Sequence, residues 1–163
     1  MVRLGAMGDI LHALPAVTAL RIAHPGWIID WVVEPRWRPL LAAEDAAGSA
    51  SNRGPAQPLV DRIYLAPTKE WGRRPLSART IREIKALRGA LRSQGYSAVL
   101  DMQGAVRSAA IGRMAAGPRL IGEAEPREFA ARWLFTERVQ VQGVHVIEQD
   151  IELASAVAGD ALT

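Results

Sequence analysis

The chain has 163 residues, 49% of them hydrophobic and 23% charged, with 20 Lys and Arg against 17 Asp and Glu for a formal net charge of +3. That length and balance describe an ordinary soluble protein with one proper core, and exclude a disordered tail or a membrane-embedded bundle. The absence of cysteine excludes disulfides and thiolate metal sites and agrees with a reducing cytoplasm.

Residues 1–4 read as the tail of a strand. They run into the glycine turn Gly5-Ala6-Met7-Gly8-Asp9, and residues 9–23 read as a helix with Ile10, Leu11, Leu14 and Val17 on an apolar face. His24-Pro25-Gly26 closes that helix. Residues 27–33 form the longest apolar run, interrupted by Asp30, too short to span a membrane and suited to a buried parallel strand. Residues 36–43 read as a short helix, 48–58 as a Ser, Asn, Gly and Pro-rich loop, and 60–65 as a third strand.

Residues 68–77 read as a polar loop, followed by a strong helix over 79–94 with Ile81, Ile84, Leu87 and Leu91 along one side. A fourth strand over 97–100 ends at Asp101, and the turn Asp101-Met102-Gln103-Gly104 leads into a helix over 105–115. A short strand at 119–121, a helical turn at 127–134, an extended run at 138–141 and a last helix over 144–158 complete the chain. Strands alternating with helices at this spacing predict an α/β fold, a Rossmann-like parallel sheet with helices on both faces.

The chemistry-bearing features lie in the turns. Gly5 and Gly8 permit backbone angles and close approaches that other residues resist, and Asp9 falls in the first helical turn. Asp9 is either a helix cap or an acid placed where open α/β sheets put their sites, at the carboxyl end of a strand. The loop is not a dinucleotide fingerprint, because Met7 and Ile10 occupy the positions of its second and third glycines, and no Gly-Lys-Ser/Thr triplet exists for a P-loop. Glu34 imitates the ribose-binding acid of such a site without the glycines that should accompany it.

Residues 62–92 hold nine basic side chains (Arg62, Lys69, Arg73, Arg74, Arg79, Arg82, Lys85, Arg88, Arg92) against Glu70 and Glu83. That field suits a polyanionic ligand or an anionic membrane surface. Tyr64 and Trp71 are too few for a stacking platform, so nucleic acid is not expected. Three scattered histidines make no metal site.

Taken together, residues 3–16, Ile29-Asp30-Trp31-Val32-Val33-Glu34, Asp101-Met102-Gln103-Gly104-Ala105-Val106-Arg107-Ser108 and His145-Val146-Ile147-Glu148 resemble the lipopolysaccharide heptosyltransferases, the family 9 glycosyltransferases of GT-B fold. The resemblance implies that residues 1–163 form one Rossmann-like acceptor-binding domain. It would be the amino-terminal half of a GT-B enzyme, with a clipped first strand and without the carboxy-terminal domain that holds the donor. It further implies inverting, metal-independent transfer of heptose from an ADP-sugar to the Kdo-lipid A inner core, without a cofactor, in the cytoplasm or at the inner face of the inner membrane.

Carried over by position, Asp9 is the general base. Gly8, Lys69, Arg73, Arg74, Gln103 and Arg107 are the acceptor-binding residues, and Ser108 is a helix cap. A fragment of this kind is expected to be inactive alone. Two rival readings are a non-catalytic binding module for anionic glycolipid or sugar phosphate and, third, a dinucleotide-dependent oxidoreductase.

Overall fold

The computed structural model describes residues 1–41 and 59–162. The loop expected at 48–58 and the last residues of the helix expected at 36–43 lie outside them.

An extended segment at the start of the chain is the centre of the sheet. Val2 bridges in parallel to Val32 on one side and to Asp101 on the other. Its N–H donates to the Leu100 carbonyl (2.8 Å) and its own carbonyl accepts from Met102, while Arg3 and Glu34 continue the ladder on the opposite side. Strand β1 (Asp30–Val33) pairs in parallel with β2 (Arg62–Leu65), and β3 (Ala98–Leu100) with β4 (Arg119–Glu123), which pairs with β5 (Glu137–Val139). The order across the sheet is therefore β2, β1, the initial segment, β3, β4, β5. In chain order that is 3-2-1-4-5-6, the arrangement of a Rossmann-type sheet, whose direction of winding reverses beside the first strand.

Helix α1 (Met7–Ala23) follows the initial segment, α2 (Thr68–Arg73) and α3 (Ala78–Arg92) join β2 to β3, α4 (Val106–Met114) joins β3 to β4, and α5 (Val146–Ala158) comes last. Short 3-10 turns occupy Pro35–Leu40 and Phe129–Trp133. The polar segment read as a loop at 68–77 is largely the short helix α2. It has no apolar period to announce it, and its single anchor is Trp71, buried with its indole N–H on Glu83 (2.9 Å). Ser77 accepts the Thr80 N–H and so starts α3, and Gly159 in the left-handed conformation (φ +81°) closes α5.

Side-chain alternation sorts the sheet into two half-cores. Trp31, Val33, Leu100 and Ile121 pack with α1 and α5 through Ile10, Val17 and Leu153. Val2, Leu4, Val32, Val99 and Leu120 pack with α3 and α4 through Leu87, Leu91, Ala109 and Ile111. The expected apolar faces are trimmed at their rims, since Leu11 and Ile81 stand exposed.

Arg3, lying between Val2 and Leu4, must then point into the α1–α5 half. There its guanidinium meets Asp150 of α5 at 3.3 Å, both side chains being buried. Burial pushes the Asp150 carboxyl up to about 6; the Arg3 charge opposes this, and the Glu123 and Asp9 charges add to it. Arg3 Nε and Asp150 Oδ2 have no hydrogen-bond partner among the described residues, so the pair is only partly satisfied. Removing one member of such a pair strands the other charge, whereas replacing both by apolar groups does not. Asp150→Ala should therefore lower unfolding free energy by about 3–5 kcal/mol, with the double variant Arg3→Met, Asp150→Leu losing far less, as read by guanidinium titration.

Candidate active site

The carboxyl ends of the initial segment and of β3 diverge at the reversal point, and one side chain spans the gap. Gln103 accepts the Leu4 N–H through Oε1 (2.8 Å) and donates through Nε2 to the Gly5 carbonyl (2.8 Å). The two turns that the sequence marks out are thus stitched together. Gly5 has φ +142° and the Trp37 indole lies where a Cβ would stand, so glycine is required there. Gly8 has no such need: it belongs to the first turn of α1 and a Cβ would meet open space.

Asp9 is the third residue of α1 rather than its cap. The cap position is Ala6, whose N–H donates to Asp9 Oδ2 (2.9 Å). The half-buried Asp9 carboxylate is thereby aimed by one oxygen, and among the described residues Oδ1 has no hydrogen bond.

Asp9 lines a cleft of about 190 Å³ with Gly5, Glu34, Arg36, Lys69, Gln103, Arg107 and Arg127 among others. The exposed cations Arg36, Lys69, Arg107 and Arg127 surround it. The second acid lining the cleft, Glu34, is buried, and its Oε1 accepts from the Thr68 hydroxyl and the Lys69 N–H, so it anchors α2 and holds Lys69 at the rim. Asp9 is the more exposed of the two carboxylates in this cationic cleft.

The basic loop expected as one site is divided. Lys69 joins Asp9, but Arg73 and Arg74 line a neighbouring pocket of about 340 Å³ with Trp71, Arg79 and Glu83. Gln103 and Arg107 reach the Asp9 cleft, as expected of them.

Arg36 and Arg127 escaped the sequence reading. Arg36 is held by stacking on Trp37 (4.5 Å to the ring centroid). Arg127 is placed by Gly104, whose φ of +63° and 3.0 Å gap between an added Cβ and the Arg127 backbone nitrogen bring the segment after β4 against the β3 turn. A Gly facing a Pro-Arg pair distant in the chain was the sole signal.

Asp101 holds the second turn. Its Oδ1 accepts the backbone N–H groups of Gln103 (2.8 Å) and Gly104 (3.0 Å), and Ser108 Oγ lies 2.9 Å from Oδ2. Ser108 is buried at the third position of α4 and accepts the N–H of the cap residue Ala105, the same reach-back that Asp9 makes to Ala6. The capping it provides is that of the third residue and not of the cap position. Burial pushes the Asp101 carboxyl up to about 6, with the Gln103, Ser108 and Gly104 hydrogen bonds and the Arg3 charge opposing. His145 stands at the cap position of α5, and His12 is exposed on α1.

The model of glycosyltransferase family 9 (heptosyltransferase) matches residues 84–162. Lipopolysaccharide heptosyltransferase 1 of Escherichia coli K12 is 36% identical over 111 residues, which are 68% of this chain and 31% of that protein. Its namesake from Pseudomonas aeruginosa is 24% identical over 162 residues, 94% of this chain and 40% of the relative. Among solved structures, E. coli heptosyltransferase WaaC with ADP superposes with TM-score 0.81 at 30% identity, over 99% of this chain and 48% of that one. E. coli ADP-heptose heptosyltransferase II superposes with TM-score 0.62 at 22% identity, a likeness of fold. The chain spans about a third of the length of the E. coli relative and about half of the solved WaaC chain.

The Asp101 turn has a measurable signature. Its carboxyl keeps a proton up to about pH 6 in the folded chain, against an ordinary 3.8. Between those values the folded state binds more protons than the unfolded one, so this group's contribution to stability falls as pH rises. Denaturant titrations should show the parent losing about 2–3 kcal/mol relative to Asp101→Asn from pH 4 to pH 6, and nothing more above pH 7.

Proposed function

We propose, from the premise that this chain is related in sequence and in fold to the family 9 glycosyltransferases and matches their amino-terminal half, that it is the acceptor-binding, base-bearing half of a heptosyltransferase. The observation that carries the proposal is the Asp9 carboxylate, fixed by Ala6 at the reversal point of the sheet and ringed by cations. The proposed substrate class is taken from one relative, E. coli WaaC, solved with ADP and again with ADP-2-deoxy-2-fluoro heptose.

In the proposed reaction Asp9 takes the proton of an acceptor hydroxyl on the Kdo-lipid A inner core. The hydroxyl oxygen bonds to the anomeric carbon of heptose as the bond from that carbon to the phosphate oxygen breaks. ADP leaves with the electron pair from the opposite side, and the configuration inverts without a metal. General-base assistance of this kind contributes about 100- to 10,000-fold, provided the base lies within hydrogen-bond reach of the proton. Lys69, Arg107, Arg127 and Arg36 neutralise acceptor carboxylate and phosphate groups around that hydroxyl. Gln103 keeps the two turns in register and Gly8 leaves the approach to Asp9 open.

Arg73 and Arg74, in the adjoining pocket, take a second anionic group of the same acceptor. The setting is the cytoplasm, at the inner face of the inner membrane. A binding module without catalysis is not favoured, because the relatives are transferases.

Alone, the 163 residues should bind a soluble Kdo-containing lipid A mimic and release no ADP from ADP-heptose. Lys69→Glu with Arg107→Glu should weaken acceptor binding about tenfold or more and flatten its salt dependence; unchanged affinity would refute the cleft as the acceptor site.

Joined to a family 9 donor half, Asp9→Asn should cut kcat at least about 100-fold with little change in acceptor KM, the pattern of an interaction made in the transition state. A near-normal kcat with a lowered Tm would instead mark Asp9 as a structural cap.

A further inference from the structure

Helix α3 presents a face that the proposed chemistry does not use. Ile81, Lys85, Arg88 and Arg92 follow one another at helical spacing and are all exposed, so they form a single stripe along the outer side. At the start of that stripe the chain turns between α2 and α3, and Leu76 stands at the tip with 88% of its surface exposed. Arg73, Arg74 and Arg79 flank it, all exposed.

Of the two acids nearby, Glu83 is occupied by Arg79 (2.8 Å) and the Trp71 indole (2.9 Å), leaving Glu70 against a cationic surface. Trp71 itself is buried, so the surface offers no ring for bases to stack on. Leu87 and Leu91, a little over a quarter-turn round the helix, pack onto the sheet, which leaves the stripe exposed along one flank of α3.

We propose that the α2–α3 corner and the α3 stripe form a docking surface for an anionic lipid bilayer, with Leu76 as the apolar wedge. A bare aliphatic side chain ringed by arginines, continued by a row of cations, matches a surface of acyl chains capped by negative headgroups. Among the described residues no helix is long and apolar enough to cross a membrane, and the proposed contact is one of surface with surface.

Its geometry has a purpose. The corner lies at the carboxyl edge of the sheet, and α2 contributes Lys69 to the Asp9 cleft. Docking by the corner sets the mouth of that cleft against the lipid surface. The docking rests on the surface alone; its service to a lipid-borne acceptor rests on the glycosyltransferase reading.

The test uses the chain with vesicles free of any glycolipid acceptor, either neutral phosphatidylcholine or phosphatidylcholine with phosphatidylglycerol. Since the chain has no cysteine, Leu76→Cys can carry a single environment-sensitive fluorophore. Ile22→Cys, 76% exposed at the end of α1 on the other face, serves as control. The Leu76 probe should shift to the blue on anionic vesicles, not on neutral ones, while the Ile22 probe does not respond.

Lys85→Glu with Arg88→Glu should reduce vesicle partitioning at least about fivefold per position, whereas Arg113→Glu on α4 should leave it unchanged. Equal response of both probes, equal binding to neutral vesicles, or indifference to the α3 reversal would overturn the docking surface. Soluble-acceptor binding without vesicle docking would remove this inference and keep the function. Docking without acceptor binding would do the opposite.

Discussion

The side-chain amide of Gln103 is the constraint on which the rest of the site depends. Where a parallel sheet reverses its winding, two neighbouring strands send their chains to opposite faces, and a crevice opens between the turns. A crevice is useful only if its walls stay put. Gln103 uses one acceptor and one donor to tie the β3 turn to the backbone of Leu4 and Gly5. Asp101 in turn holds the backbone of Gln103. Asp9 inherits its position from one wall, Arg107 and Arg127 from the other, so a single amide sets the distance between the acid and the cations facing it.

Beneath that edge, the period of two in the strands assigns every side chain to one half-core or the other. Trp31 and Val33 face α1 while Val32 faces α3. The same rule sends Arg3 into an apolar half, where a charge is tolerated because Asp150 is there to receive it. The Trp31 indole donates to the Arg3 carbonyl (3.0 Å), so backbone and side chain of this residue are both tied down, close below the turn that carries Asp9. Charge below the site and charge around it are thus linked by one short stretch of chain.

Much of this was legible in the sequence, for physical reasons that differ by element. The parallel sheet followed from short apolar runs alternating with amphipathic stretches, and the Gly5-to-Asp9 and Asp101-to-Gly104 turns from glycines and carboxylates where strands hand over to helices. Gln103 and Arg107 could be placed near Asp9 because they belong to the turn and helix start that follow a strand end, whereas Lys69 came only with Arg73 and Arg74, through the family resemblance. Three things were not legible. Helix α2 has one apolar anchor and no period, so it looked like loop. The partition of Lys69 from Arg73 and Arg74 depends on the direction in which that short helix points. Arg127 comes to the cleft through Gly104, a contact between segments that no local pattern connects.

Between Arg3, clamped by Asp150, and Asp9, clamped by the first turn of α1, the chain has no slack. Gly5 presses on Trp37, Leu4 is bound to Gln103, and Ala6 is bound to Asp9. One residue added to this stretch would either rotate Arg3 into the wrong half-core or swing the acid off the crevice. Such a segment can vary in spelling but not in length, so homologous chains should align across it without gaps, however far their side chains have diverged.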